Sequence, residues 1–126
     1  TQAAGSRKQS RFLEFEELPV ALYPDKEYDK SGCWSGTAIV REGKLYLFYA
    51  SVCDGVQSVS MAYSSDGVHF EKYEGNPIIS GYPRQIFVTD PYAVENPRLV
   101  IIIDGQLPAD ALQKLKNLPA VDSIIL

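Results

Sequence analysis

The chain has 126 residues, of which 45% are hydrophobic and 22% are charged, and its formal net charge is -4 at pH 7. This length and composition are typical of one modest globular domain. The negative charge argues against a nucleic-acid partner, because binding to phosphate backbones needs clustered Lys and Arg. The apolar runs 99–103 and 123–126 are far shorter than the roughly 18 residues that span a bilayer, so we expect no membrane partner.

The amino end of the chain is polar. Residues 1–10 are rich in Ser, Gly and Lys and lack the apolar core of a signal peptide, so we predict a disordered leader over residues 1–11. Residues 12–16 alternate apolar and polar side chains, which predicts a short strand that ends before Pro19.

A turn-rich loop follows over residues 21–31. Turn-forming residue types before a buried strand are typical of loops that line a site. Tyr23 and Tyr28 are the aromatic candidates of this loop.

Two β-hairpins are predicted next, because strand-forming segments flank short turn signals that contain Glu42-Gly43 and Asp66-Gly67. Asp-Gly is a strong hairpin signal, since glycine accepts a positive φ. Two successive hairpins predict one four-stranded antiparallel sheet. The paired segments are 32–40 with 45–50 and 60–63 with 68–72.

Several motifs follow one another around these hairpins in a definite order. They are Tyr28-Asp29-Lys30, Gly32-Cys33-Trp34-Ser35-Gly36-Thr37, Leu45-Tyr46-Leu47-Phe48-Tyr49, residues 64–72 and Asn76-Pro77-Ile78-Ile79. This order resembles one blade of the family 32 glycoside hydrolases, the invertases, levanases, inulinases and sucrose-6-phosphate hydrolases, in which the second motif usually reads Phe-Ser-Gly-Ser. The resemblance runs from Leu18 to Asn96. It implies a single blade of a five-bladed propeller, since each four-stranded blade takes roughly 40 to 50 residues.

The resemblance also implies which site residues are present. Retaining glycosidases need two carboxyl groups roughly 5 to 5.5 Å apart, and the family carries its pair in Asn-Asp-Pro and Glu-Cys motifs that this sequence lacks. Thr89-Asp90-Pro91 resembles the family's Arg-Asp-Pro, with Thr in place of Arg. The resemblance therefore implies Asp90 as a sugar-binding carboxylate, Trp34 and Ser35 as pocket residues, and no catalytic residue. Asp90 as a turn residue and Trp34 as a core residue are the alternatives.

Cys33 and Cys53 flank the first hairpin. We interpret them as two small buried thiols, although a hairpin can bring such a pair within disulfide range. No cellular location follows from them. His69 alternates with apolar neighbours on the predicted strand and has no Ser or Cys nucleophile motif beside it, so we interpret it as a solvated residue or a cross-strand partner.

The pattern changes after Pro97. Residues 99–103 are a continuous apolar strand, Leu112, Leu115 and Leu118 recur at helical spacing, and residues 121–126 are a second strand. A strand, a helix and a strand in this order predict a βαβ unit with parallel strands.

This tail resembles the last third of an ACT domain, the small ferredoxin-like regulatory module of many D-3-phosphoglycerate dehydrogenases and some L-serine dehydratase subunits. The resemblance covers residues 99–126 and implies dimerisation through sheets or helices. No Pro-Gly-Val-like segment is present to carry over that family's amino-acid binding. Two unrelated resemblances in one chain indicate a fragment fusion or chimera, and a single natural domain is the alternative.

The predicted fold is mainly β with a C-terminal βαβ unit (α+β), a four-stranded propeller-blade-like sheet joined to a ferredoxin-like half. The predicted regions are a leader (1–11), a blade-like region (12–97) and an ACT-like segment (98–126). The predicted function is a non-catalytic β-fructosidase-like blade that binds a fructose-containing sugar weakly and needs no cofactor. The alternative is an ACT-like interaction module.

Association is the last expectation from the sequence. Both faces of the segment 45–50 are apolar, and such a sheet needs cover on both faces. Either the tail packs on the blade, or a second copy of the chain supplies the cover. We expect a homodimer on this reasoning.

Overall fold

The computed structural model describes residues 7–10, 14–81, 85–89, 99–103, 106–119, 121 and 124. Its elements are mainly β-strands, with a 3₁₀ turn at Glu27–Asp29. The strands and the helix are β1 (Arg7–Ser10), β2 (Glu14–Glu17), β3 (Gly32–Arg41), β4 (Lys44–Cys53), β5 (Val56–Ser64), β6 (Glu71–Lys72), β7 (Gln85–Thr89), β8 (Leu99–Ile103) and α1 (Ala109–Lys116).

Strands β3 to β6 form the central sheet in the order β3-β4-β5-β6, and every neighbouring pair is antiparallel. The predicted four-stranded antiparallel sheet is therefore confirmed. Glu42-Gly43 joins β3 to β4 and Asp54-Gly55 joins β4 to β5, and all four of these turn residues have positive φ. Two left-handed residues match the twist of a tight hairpin, so each of these connections is a two-residue turn.

The last strand of the sheet is shorter than predicted. The Asp66 Oδ1 atom accepts hydrogen bonds from the backbone N–H groups of Val68 and His69, both at 2.8 Å. These amides are therefore engaged by a side chain next to the turn instead of by the sheet. Strand β6 consequently contains only Glu71–Lys72, and His69 lies on an exposed turn.

Two buried clusters lie on opposite faces of the central sheet, because successive side chains of a strand point to opposite sides. Phe48 belongs to one cluster and its neighbour Tyr49 to the other. The front cluster consists of Leu22, Cys33, Tyr49 and Ala62. The back cluster consists of Ile39, Tyr46, Phe48, Val59, Met61, Ile78, Ile79, Ala111 and Leu118.

The tail shows part of the predicted βαβ unit. Strand β8 and helix α1 follow each other as expected, but β8 pairs antiparallel with β7, which precedes it. This pairing closes a shorter loop than a parallel pairing across the helix would, so it costs less chain entropy. It also joins residues on both sides of the predicted boundary between 97 and 98. Of the predicted second strand, the described residues Val121 and Ile124 lie outside any strand, and the others lie outside the described part.

Helix α1 and the residues just after it pack on the central sheet, since Ala111 of the helix and Leu118 beyond its end both belong to the back cluster. The tail therefore covers one face of the blade, which is the first of the two arrangements expected from the sequence. Within the described residues, no helix is long and apolar enough to cross a bilayer.

The amino end differs from the predicted leader. Strand β1 pairs antiparallel with β2, with Arg7 opposite Glu17 and Lys8 opposite Glu16. A strand therefore lies where a disordered segment was expected. Residues 1–6 and 11 of the predicted leader lie outside the described residues.

Candidate functional site

An open groove of about 890 Å³ lies beside the first half of β3. It is lined by residues of the strand edge and by three residues of the front cluster, together with Phe48 of the back cluster. The lining residues are Leu22, Cys33, Trp34, Ser35, Gly36, Thr37, Ala38, Leu47, Phe48 and Tyr49.

Trp34 and Ser35 form a β-bulge at this groove. The ladder between β3 and β4 pairs Cys33 with Ser51 and then resumes at Gly36, which leaves two residues opposite one. A bulge bends the strand and re-aims its side chains, and bulges are frequent next to binding sites. The extra residue also reverses which side chains of β3 face front and back.

Gly36 permits the close approach of the two strands after the bulge. A Cβ atom at this position would overlap the carbonyl oxygen of Phe48 and would lie 2.6 Å from the Cα atom of Tyr49. Only glycine therefore fits at position 36.

Trp34 is not a core residue, because 46% of it is exposed to solvent. Its indole lies against the backbone of Gly32, where an added Cβ atom would be 2.6 Å from the ring Nε1 atom. Gly32 thus leaves space for the ring. Trp34 and the exposed Ser35 are available on the groove wall.

A fully buried carboxylate, Asp29, lies behind this wall. Its Oδ1 atom accepts a hydrogen bond from the backbone N–H of Lys26 at 2.9 Å. Its Oδ2 atom accepts from the Tyr49 hydroxyl at 3.0 Å, from Lys72 Nζ at 2.6 Å and from the Cys33 thiol at 3.6 Å. Because Cys33 and Tyr49 line the groove, Asp29 ties the groove to the preceding loop.

Lys72 is the cation of this network, and its side chain is only 8% exposed. Besides Asp29, it contacts Asp25 Oδ1 at 2.6 Å and the carbonyl oxygen of Tyr23. Burial lowers the pKa of Lys72, but the two carboxylates more than offset this, so the pKa is raised. The hydrogen bond from Lys72 is the main reason why the pKa of Asp25 is lowered.

The ionisable groups of the groove are protonated at neutral pH. Burial is the main cause that raises the pKa of the Cys33 thiol to about 12, with a further contribution from the negative charge of Asp29. Burial and Asp29 also raise the pKa of Tyr49 above its usual range. Both groups therefore act as neutral donors, and Cys33 is not a thiolate nucleophile.

The structure places two of the three predicted site residues together, since Trp34 and Ser35 both line the groove. Asp90 lies outside the described residues. Tyr23 is exposed on a second groove of about 510 Å³ that also includes His69. The half-buried Tyr28 accepts a hydrogen bond from the Asn76 amide at 3.2 Å.

Asp29 and Lys72 were missed as a pair by sequence reasoning, because 43 positions separate them. Both residues lie within the quoted motifs, yet no local pattern indicates that their side chains meet. The two cysteines are free thiols, with Cys33 buried and Cys53 partly exposed. Within the part of the chain that the structure describes, no three His, Cys, Asp or Glu side chains are grouped as a metal site.

Comparison with known proteins supports the motif resemblance. The sucrose-6-phosphate hydrolase of Zymomonas mobilis is 38% identical over 76 residues, which cover 54% of this chain and 15% of that protein. The levanase of Bacillus subtilis is 40% identical over 79 residues, which cover 53% of this chain and 11% of that enzyme. The chain thus spans less than a fifth of the length of these two relatives.

Solved structures and a family model agree with these relatives. The GH32 β-fructofuranosidase of Bombyx mori superposes with a TM-score of 0.59 at 29% identity, covering 79% of this chain and 23% of that one. The model of the glycosyl hydrolases family 32 N-terminal domain matches residues 6–106, which includes strand β8. With the blade-like sheet and the bulged Trp-Ser-Gly motif, this match shows that the chain belongs to the glycosyl hydrolase family 32 N-terminal domain family.

Proposed function

We propose that this chain supplies one wall of a β-fructosidase-like sugar site and that, by itself, it binds a fructose-containing sugar weakly without hydrolysing it. The observation that carries the proposal is the bulge that holds Trp34 half exposed beside Ser35 in the groove. The names of the relatives, a sucrose-6-phosphate hydrolase and a levanase, support a fructose-containing ligand.

The chemistry of the wall suits a sugar. An aromatic ring offers an apolar surface for the C–H groups of a sugar ring, and a hydroxyl group both donates and accepts hydrogen bonds. Apolar walls with a few placed polar groups are typical of small-molecule sites. We assign these roles to Trp34 and Ser35, and we assign Asp90 as a carboxylate that accepts hydrogen bonds from sugar hydroxyls.

The absence of hydrolysis follows from the missing carboxylate pair. Both retaining and inverting glycosidases need two carboxyl groups around the scissile bond. None of the described residues that line the groove has a carboxyl side chain, and the Asp29 carboxylate is buried behind the wall and hydrogen-bonded there. Among the described residues, the groove therefore has surface for binding but no acid and nucleophile for bond cleavage.

The test uses the fluorescence of Trp34, which is the single tryptophan of the sequence. We expect its emission to change on titration with fructose or sucrose, with a half-maximal response in the millimolar range. A dissociation constant of about 1 mM corresponds to about -4 kcal/mol, a reasonable value for one wall of a site. A flat titration would exclude sugar contact at Trp34.

Two variants sharpen this experiment. Ser35→Ala removes the neighbouring hydroxyl and should weaken the response several-fold. Val40→Ala is the matched control, because Val40 is 62% exposed on the same strand but does not line the groove. Release of fructose from sucrose, inulin or levan by the purified chain would contradict the non-catalytic part of the proposal.

A second candidate function is an ACT-like interaction module within a chimeric chain. The observation that favours it is the succession of strand β8, Pro108 and helix α1 in the tail. Sedimentation velocity over a range of concentrations tests this candidate, and concentration-dependent dimerisation without any sugar response would favour it over the first.

A further inference from the structure

One buried carboxylate contacts the backbone partners on both sides of the bulge. In the ladder between β3 and β4, the bulge is flanked by Cys33 on one side and by Gly36, which faces Tyr49, on the other. The Asp29 Oδ2 atom accepts a hydrogen bond from the Cys33 thiol at 3.6 Å and from the Tyr49 hydroxyl at 3.0 Å. A single oxygen atom therefore holds the residue before the bulge and the cross-strand partner of the residue after it.

Asp29 is itself fixed from two further directions. Its Oδ1 atom accepts from the backbone N–H of Lys26 at 2.9 Å, which closes the 3₁₀ turn Glu27–Asp29. Its Oδ2 atom also accepts from Lys72 Nζ at 2.6 Å, and the lysine supplies the opposite charge that a fully buried carboxylate needs. Asp29 thus connects the loop to three strands of the sheet, β3, β4 and β6.

The two residues of the bulge have little packing of their own. Trp34 is 46% exposed and Ser35 is exposed as well. The ladder of backbone hydrogen bonds is interrupted at a bulge, so it does not fix these residues either. Their orientation in the groove therefore depends on where the flanking residues are held.

We propose that Asp29 is a positioning residue for sugar binding, which fixes the backbone on both sides of the bulge and thereby sets the orientation of Trp34 and Ser35. Asp29 does not line the groove and acts through Cys33 and Tyr49, which do. A wall that is held in place before the ligand arrives binds more tightly, because less conformational entropy is lost on binding. This inference rests on the proposed sugar binding, but its first measurement needs no sugar.

The first variant removes a single hydroxyl group. Tyr49→Phe deletes the hydrogen bond to Asp29 and keeps the ring. Tyr63→Phe is the matched control, because the Tyr63 hydroxyl also donates to a carboxylate, that of Glu71, at 3.0 Å but does not line the groove. We expect acrylamide to quench the fluorescence of Trp34 more strongly in folded Tyr49→Phe than in wild type. The dissociation constant for fructose should rise several-fold in the same variant, and the control should match wild type in both measurements.

The second variant changes the carboxylate itself. Asparagine has one acceptor oxygen, so Asp29→Asn cannot accept both from the Lys26 amide and from the donors at Oδ2. We expect a larger increase in quenching and in the fructose dissociation constant than in Tyr49→Phe, which covers the case in which Asp29→Asn does not fold. Val59→Ala controls for a general loss of stability, since it removes buried methyl groups from the back cluster, and its folded form should behave like wild type.

Each outcome decides one part of the argument. Quenching of Trp34 that stays at the wild-type value in Tyr49→Phe and Asp29→Asn overturns the proposal. An equal increase in Val59→Ala or Tyr63→Phe overturns it too, because the effect would then not be specific to the bulge. Increased quenching with an unchanged affinity for fructose shows that the orientation of the wall does not matter to the sugar, which also overturns it. A wild-type chain that binds no sugar refutes the proposed function, and the quenching comparison then still decides whether Asp29 fixes the bulge.

Discussion

Replacement of Lys72 by Met tests whether the buried ion pair holds the loop onto the sheet. Methionine is similar in length to the lysine stem, so the aliphatic packing is largely kept while the charge is removed. The change leaves the fully buried Asp29 carboxylate without its cation. The Tyr49 hydroxyl and the Lys26 amide remain as neutral donors to it.

The expected loss of stability comes mainly from Asp29. Breaking a buried ion pair by removing one partner costs about 3–5 kcal/mol, because the other charge stays buried and uncompensated. The pair between Lys72 and Asp25 adds little, since the Asp25 side chain is 61% exposed and a pair with such an exposed partner contributes about 0–1 kcal/mol. Small domains are stable by about 5–15 kcal/mol in total, so the variant loses a large part of its folding free energy.

Urea unfolding followed by circular dichroism measures this loss. Lys30→Met is the matched control, because Lys30 is a 43% exposed lysine that pairs with Glu27 at 3.1 Å and Asp54 at 3.3 Å on the surface. We expect the control to lose far less stability than Lys72→Met, because exposed ion pairs are screened by solvent and contribute little. A Lys72→Met variant that loses no more than the control would refute the argument that Asp29 depends on its cation.

A double variant isolates the charge itself. Asp29→Asn keeps an acceptor for Tyr49 but removes the negative charge, so combining it with Lys72→Met should restore part of the lost stability. We expect a coupling of about 0.5–3 kcal/mol between the two positions. Strict additivity of the two single changes would show that the ion pair contributes nothing beyond packing.

Further predictions concern the bulge and the two thiols. Gly36→Ala should lower the free energy of unfolding by about 1–3 kcal/mol or more, because the new methyl group overlaps the Phe48 carbonyl. The shifted backbone should also change the emission maximum of Trp34. An unchanged spectrum and stability would contradict the packing argument. A thiol reagent at pH 8 should modify the partly exposed Cys53 rapidly and the buried Cys33 only on unfolding, as single-cysteine variants would show. The pKa of Cys33 is raised from the usual 9.0 to about 12, so between these two pH values the unfolded chain loses the thiol proton and the folded chain keeps it. The free energy of unfolding should therefore fall as pH rises through this window, and Cys33→Ala should reduce that slope.

The sequence determined the strand and turn pattern of the blade. Glu42-Gly43 and the alternating residues beside it are local signals, and glycine permits the positive φ that a tight turn between two strands requires. The same motifs carried the family resemblance, which the match over residues 6–106 bears out. Trp34 and Ser35 were identifiable as candidate groove residues because they lie within one of these short motifs.

Only the tertiary structure decided how distant parts of the chain meet. The contact between Asp29 and Lys72 joins residues 43 positions apart, and the packing of α1 on the back cluster joins the tail to the sheet. The bulge at Trp34 is invisible in the alternation of residue types, since one extra residue changes the facing of β3 without changing its composition. Such pairings depend on which buried surfaces and charges can satisfy each other in three dimensions, and local propensity contains no information about that choice.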